Sequence, residues 1–288
     1  MTTLSNNSIS HYLTCPASFY HYYVRRLVPA VKSPHLTFGE IVHTGCEVLF
    51  KGLQQGDSKS HCIDRAIDAV RQQWMVYVNE LSGLPAYKDL ERATTAMVKV
   101  ANLNLEELGD IVGVEQEIVV ELLPGVNYKS IIDLLLETAE GRVVYDFKTM
   151  NDWHGNKDHR LSLNRQLKGY RWAVGAVDAC WVPIVFPKKP KKGQEVVVVH
   201  QPVSHQPCPA MEIELWLEET VQVADDIHSM LVHDDSPYIW PRSTNDCQSS
   251  SAYFTCDYMP LCLPTIRQAG RLDVANVDPT VFVRREDG

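Results

Sequence analysis

The chain has 288 residues, 45% of them hydrophobic, enough to bury a large core as one elaborated domain or as a core with a subdomain. Its formal net charge of -9, from 27 Lys and Arg against 36 Asp and Glu, argues against a protein that coats nucleic acid, yet leaves room for an enzyme with a local basic track. No apolar run reaches the roughly 20 residues of a membrane span, and the polar N-terminus lacks the apolar stretch of a secretory signal, so a cytoplasmic, reducing location is expected.

Helical periodicity is expected near 7–26, 37–53, 60–82 and 88–108. Thr37-Phe-Gly-Glu40 has the spacing of a capping box and is expected to open the second helix, placing His43 in its second turn. Tyr20, Tyr22 and Tyr23 with Arg25 and Arg26 suit either core packing or a clamp on single-stranded nucleic acid. Strands follow near 113–122, 129–137 and 142–149, then a helix near 160–177, strands near 180–186 and 195–201, and a helix near 209–232. An α/β fold with a mixed sheet emerges. The Lys188-Lys-Pro-Lys-Lys192 run between the last two strands reads either as a solvated hairpin loop or as a phosphate contact. His154 and His159 lie in a stretch that reads as a loop beside the cleft, and His61, His200, His205, His228 and His233 show no joint spacing for a metal. Residues 237–251 are loop-like, and the polar tail after Gly270 can fray or engage a partner.

The most informative stretch runs from Ser130 to Lys148. Two β-prone runs flank Glu140-Gly141, which supplies a turn and a residue tolerant of positive φ. A tight turn there sets Asp133 opposite Asp146, or, with a slipped register, opposite Lys148. Alternation puts Asp146 and Lys148 on one strand face and Val143, Tyr145 and Phe147 on the other. Two carboxylates and an ammonium this close are costly unless a cation is recruited. Mg²⁺ suits carboxylates together with phosphate oxygens, and a lysine beside it can orient an attacking water, so the arrangement fits phosphodiester hydrolysis. Downstream, Gln166 and Tyr170 stand four residues apart on one face of a helix.

In order along the chain, Ser-x-Ile-x-x-Tyr-x-x-Cys15-Pro, Phe-Gly-x-x-x-His43, Val-Glu115, Ile-Asp133, Asp146-Phe-Lys148-Thr, Gln166-x-x-x-Tyr170 and Cys256-x5-Cys262 resemble the PD-(D/E)XK nucleases. The branch they resemble is the RecB-like one, with AddB-type, CRISPR-associated and phage exonucleases. The resemblance spans about Ser8 to Cys262 and implies a restriction-endonuclease-like αβββαβ core with a mixed central sheet. It implies a helical region at 1–110 carrying Cys15 and His43, a nuclease core at 111–205, a C-terminal helix and cysteine-rich segment at 206–270, and a polar tail at 271–288. By that resemblance Asp133, Asp146 and His43 are ligands for Mg²⁺ or Mn²⁺, Lys148 is the catalytic lysine, Glu115 is a supporting acid, and Gln166 and Tyr170 line the DNA groove. Many relatives have Glu where this chain has Asp146; the shorter side chain still ligates.

The implied activity is a metal-dependent DNA exonuclease acting on ends or single strands in recombination, repair or CRISPR adaptation. The implied partners are a recombinase, annealing protein, helicase or CRISPR integrase. The alternative is a non-catalytic DNA-binding or scaffold subunit, against which the intact Asp133, Asp146 and Lys148 speak.

Eight cysteines without a signal peptide do not read as a disulfide scaffold. Cys46, Cys62, Cys180 and Cys208 read as ordinary small residues. For Cys15, Cys247, Cys256 and Cys262 the resemblance implies a [4Fe-4S] cluster stapling the chain ends together. The usual C-terminal spacing there is Cys-x2-Cys-x5-Cys, but position 253 is Tyr, so Cys247 has to serve across an eight-residue gap. A four-thiolate zinc site and no metal at all stay open as alternatives.

Overall fold

The computed structural model describes residues 2–151, 164–189, 195–198, 201–202, 209–233, 240–243, 256–262 and 281–285. In chain order the strands are β1 (Thr2–Ser5), β2 (Leu27–Pro29), β3 (Asp110–Leu123), β4 (Val126–Thr138), β5 (Gly141–Met150), β6 (Asp178–Val185), β7 (Val197–Val198), β8 (Gln201–Pro202) and β9 (Phe282–Arg284). The α-helices are α1 (Asn6–Thr14), α2 (Pro16–Phe19), α3 (Pro34–Gln54), α4 (Lys59–Val76), α5 (Leu90–Ala101), α6 (Arg165–Val174), α7 (Pro209–His233) and α8 (Met259–Cys262). Two compact units result: Met1–Lys32 with Glu121–Tyr128 and Glu218–Gly288, and Ser33–Val120 with Lys129–Leu217.

The second unit is built on a mixed sheet. β4 and β5 form an antiparallel hairpin, and β5 pairs in parallel with β6 from Val143↔Asp178 to Met150↔Val185. Parallel neighbours need a crossover, and α6 lies in the one that joins them. On its outer side β6 pairs antiparallel with β8 at Cys180 and Trp181 and with β7 at Ile184 and Val185. Pro183, which has no N–H to donate, falls between the two paired segments.

Alternation buries both faces of this sheet. Leu134, Leu136, Tyr145, Phe147, Val182 and Ile184 pack with Phe38, Leu49, Phe50 and Met97 of α3 and α5, and Phe147 stacks on Phe50 at 5.4 Å. On the other face Ile132, Leu135, Val144 and Ala179 pack with Leu167 and Tyr170 of α6. Helices on both faces of a mixed sheet are the α/β architecture expected from the sequence. Ile132 and Leu135 share one cluster although they are three residues apart, which strict alternation forbids, so β4 changes phase across Asp133.

Several local expectations need correction. The hairpin turn is Ala139-Glu140, because Thr138 pairs with Gly141. Gly141 is a strand residue with φ of 123°, and a Cβ there would lie 2.8 Å from Val177 Cγ1. Helix α3 begins at Pro34 behind an N-cap Ser33 that makes no side-chain cap. Thr37 is therefore inside the helix, where its hydroxyl donates to Glu80 Oε2 at 3.0 Å, and His43 falls a turn later than expected. The fourth helix is shorter than its periodicity suggests, since α5 ends at Ala101 and a single 3-10 turn at Leu105–Glu107 follows.

In the first unit the expected helix near 7–26 breaks at Cys15, whose extended backbone (φ -159°, ψ 107°) suits the residue before Pro16. A π-helical turn, Tyr20–Val24, replaces its last stretch. A capping box on Ser5 and Ser8 starts α1. Trp240 is buried, with Phe19 and Tyr20 each stacked on it at 5.5 Å, so Tyr20 is a packing residue. β2 pairs antiparallel with β9, and Tyr258 donates to Leu27 O at 2.7 Å while stacking on Phe282. Among the described residues no helix is long and apolar enough to cross a membrane.

Candidate active and metal centre

The hairpin positions the first three groups. The β4–β5 register runs from Thr138↔Gly141 to Leu134↔Tyr145 and stops. At the next position the Phe147 N–H donates to Asp133 Oδ2, at 2.8 Å. Asp146, with no exposed surface, comes from the strand face opposite Tyr145 and Phe147. Lys148 Nζ lies 2.9 Å from Asp146 Oδ1, yet neither Asp146 oxygen receives a hydrogen bond of good geometry. A buried carboxylate left this way has unused acceptor capacity for a cation.

Two more donors come from outside the hairpin. His43 on α3 brings Nδ1 to 3.6 Å from Asp133 Oδ2. Glu115 sits within β3 with φ of 47°, a left-handed conformation that costs a glutamate energy. Gly113 accommodates the fold-back: a Cβ there would lie 2.1 Å from Gln116 Oε1. Ligand atoms of His43, Glu115 and Asp133 lie within 4.8 Å of one another. Two carboxylates and an imidazole at that spacing fit one hard or borderline divalent cation. Asp146 lies outside this compact trio, beside Lys148.

The electrostatics reflect the crowding. Burial, then the Asp133 charge and that of Glu47, pushes the Glu115 carboxyl up to about 7. Burial raises Asp133 and Asp146 above the ordinary carboxylate range, with Lys148 opposing the rise in both. Burial works against the Lys148 ammonium too, but Asp146 and Asp133 outweigh it and keep its pKa above the usual lysine value. Both members of the Lys148–Asp146 pair thus move up: desolvation dominates for the fully buried acid, attraction for the base. Burial and the Lys148 charge lower His43, which favours the neutral, ligating imidazole. Without a cation the site carries more negative charge than its lysine offsets.

Gln166 and Tyr170 lie together on α6, where Gln166 Nε2 donates to the Tyr170 hydroxyl at 2.6 Å. The helix starts at Asn164, whose Oδ1 accepts the Gln166 and Leu167 N–H groups, and ends at the left-handed Gly175. The sequence offers Glu115 only as a supporting acid; the φ that turns it toward His43 and Asp133 has no signal beyond the nearby Gly113.

In the first unit, Cys15 and Cys262 pack in one buried cluster with Ala17, and Cys256 packs against the Leu27, Tyr258, Leu261 and Phe282 cluster. The Cys262 thiol lies 3.8 Å from His21 Nε2. All three cysteines are free thiols. Cys247 and Cys208 lie outside the described residues, as do His154, His159, Pro190, Lys191 and Lys192. Cys46, Cys62 and Cys180 are buried in the main core.

A family model, that of the PD-(D/E)XK nuclease superfamily, matches residues 3–263. Among solved structures the chain is similar to SSO0001, at 15% identity and a TM-score of 0.37 over 91% of this chain and 86% of that one. It is also similar to a Eubacterium rectale protein named as a candidate exonuclease, at 11% identity and a TM-score of 0.44 over 88% of each chain. At such scores neither likeness bears on the chemistry. No curated protein matches the chain. The match to nearly the whole sequence, on a mixed sheet whose central hairpin carries Asp133, Asp146 and Lys148, makes this chain a member of the PD-(D/E)XK superfamily of metal-dependent nucleases, with the restriction-endonuclease-like fold.

Proposed function

We propose that the protein is a Mg²⁺- or Mn²⁺-dependent deoxyribonuclease of the RecB-like branch that hydrolyses phosphodiester bonds from DNA ends. The observation that carries this reading is the convergence of the His43, Glu115 and Asp133 donors beside the buried Asp146–Lys148 pair. Asp133, Glu115 and His43 would hold a divalent cation, with Asp146 as a further ligand on the Lys148 side. When bound, the cation supplies Lewis acidity toward a phosphoryl oxygen and lowers the pKa of water.

The chain's own residues do the rest. Lys148, kept charged by Asp146 and Asp133, orients the attacking water and offsets the charge that builds on the phosphoryl oxygens. Asp133 is fixed by its bond from Phe147 N–H, so its free oxygen is held ready rather than searching rotamers. Gln166 and Tyr170, locked to each other, would line the DNA groove. The setting is recombination, repair or CRISPR adaptation in a phage or bacterium, where a recombinase, annealing protein, helicase or integrase would present the ends.

A [4Fe-4S] cluster on Cys15, Cys247, Cys256 and Cys262 belongs to the same reading. Supporting it, Cys15 and Cys262 come together as buried free thiols although they stand at opposite ends of the sequence. Such a staple would tie the C-terminal segment to the N-terminal helices and offset the entropy of closing a long loop.

Digestion of end-labelled linear DNA against a covalently closed circle tests the activity. Linear DNA should disappear with Mg²⁺ or Mn²⁺ and survive in EDTA, while the circle persists. Equal cleavage of both would replace the exonuclease with an endonuclease.

A further inference from the structure

Outside the metal centre, the second unit holds a buried cation with no counter-ion among the described residues. Lys88 is only 6% exposed. Its ammonium lies 3.2 Å from His35 Nδ1 and 5.2 Å from the centre of the Phe38 ring, and no carboxylate pairs with it among the described residues. Buried charges are ordinarily paired with an opposite charge, and an aromatic face offsets only part of the desolvation.

The Lys88–His35 bond has a directional consequence. An ammonium only donates, so His35 accepts at Nδ1 and carries its own proton on Nε2. His35 itself is exposed, so that N–H is a donor on the outer surface. The two residues stand at the start of α3, a 21-residue helix with no acidic residue in its first turn and no side-chain cap from Ser33. The helix thus supplies no acidic residue of its own to the positive end of its dipole. Glu80, the acid at this end, accepts the Thr37 hydroxyl.

Position then links this dyad to the metal centre. His35, Gly39 and His43 follow one another at four-residue spacing along one face of α3. His43 meets Asp133, and Gly39 packs against Thr149, the residue after Lys148, with a Cβ there falling 3.3 Å from Thr149 Oγ1. His35 continues the line, about 12 Å along the axis from His43, or roughly three to four base-pair rises of B-form DNA. Phe38, under the Lys88 ammonium, packs edge-on against Phe186 at 4.8 Å, and the exposed Lys188 and Lys189 follow at that end of β6.

We propose that Lys88 and His35 form a phosphate clamp that grips the DNA backbone a few nucleotides from the scissile bond, with Lys188 and Lys189 extending the track. The clamp takes its ligand from the nuclease reading above. His35 Nε2–H donates to a phosphate oxygen, and the phosphate supplies the negative charge that Lys88 lacks. Such contacts set the position of the strand without reading its sequence.

The test is binding of a fluorescein-labelled duplex by anisotropy, in Ca²⁺ across a series of salt concentrations, for wild type, Lys88→Met and His35→Ala. Each variant should bind about tenfold more weakly, and in Lys88→Met, which removes a charge, the slope of log K against log salt should be smaller by about 1. Mn²⁺ affinity, measured by titration without DNA, and hydrolysis of bis(p-nitrophenyl) phosphate should stay at wild-type values. His35 is exposed, so His35→Ala reports even if replacing the buried lysine unfolds the protein. Wild-type affinity in His35→Ala would overturn the clamp and leave the nuclease reading in place. Failure of the wild type to bind any duplex, with or without metal, would overturn both.

Discussion

Asp133 Oδ2 takes the Phe147 N–H at the point where the β4–β5 ladder ends, so one carboxylate both closes the sheet and faces His43. The same side chain thus has a structural duty and, on the nuclease reading, a chemical one, and the two can be separated. In Asp133→Asn the amide oxygen can still accept from Phe147, whereas Asp133→Ala leaves that buried N–H without its acceptor, a loss of about 1–3 kcal/mol. Both variants should be inactive. Urea denaturation should find only the alanine variant markedly destabilised; equal stability would mean the bond contributes nothing to the fold.

The crowded carboxylates make the metal-free protein sensitive to pH. Glu115 titrates at about 7 in the folded protein, above its ordinary 4.5. A raised acid binds its proton more tightly when folded, so its contribution to stability is complete below about 4.5 and is lost as pH rises through about 7. Asp133 and Asp146 shift in the same direction. In EDTA the melting temperature should therefore fall between pH 5 and pH 8, and Glu115→Gln should flatten that fall. Saturating Mn²⁺ should raise the melting temperature most at the alkaline end. An EDTA profile that rises over this range would contradict the electrostatics.

His43 joins the centre from a helix rather than from the sheet. His43→Ala should lose at least the roughly 10–100-fold that removal of a mere outer-shell partner costs. High Mn²⁺ should restore part of the loss, since Mn²⁺ is held more tightly than Mg²⁺ by a site one ligand short. A variant with unchanged metal dependence would leave His43 as a packing residue.

Much of this is legible in the sequence, for identifiable reasons. Asp133, Asp146 and Lys148 stand in apolar, β-prone runs, where charges signal a purpose other than core packing. The hairpin register is in step with Asp133 opposite Asp146, as a tight turn requires, but the ladder stops one pair short at Leu134↔Tyr145, and the two-residue loop is Ala139-Glu140. Gln166 and Tyr170 could be paired from helical spacing alone, and they are bonded. What the sequence hid depends on contacts between distant segments. The position of Glu115 follows from one positive φ in β3, and the Lys88–His35 bond joins residues 53 positions apart. Thr37 and Glu40 fit a capping pattern that points to a later start of α3, while the actual start relies on the fixed φ of Pro34.

The cysteines give a prediction independent of catalysis. Anaerobically purified protein should be brown and carry about four irons per chain, the content of one [4Fe-4S] cluster. Cys256→Ser should be colourless, and its C-terminal segment should be cut readily by protease. Cys180→Ser should keep its iron, although Cys180 is buried in the main core and its loss will cost some stability. One zinc and no iron would replace the cluster with a zinc staple, and neither metal would remove the staple.

Lys148 is the residue on which the account converges, because its charge is maintained by the two acids it serves. The most direct measurement is degradation of end-labelled duplex and single-stranded DNA by wild type and Lys148→Ala, in Mg²⁺, in Mn²⁺ and in EDTA, with Mn²⁺ binding followed in parallel. Wild type should degrade DNA only with metal, and Lys148→Ala should be slower by about 10²–10⁴-fold while still binding Mn²⁺. Degradation by Lys148→Ala at the wild-type rate, or by wild type in EDTA, would contradict it.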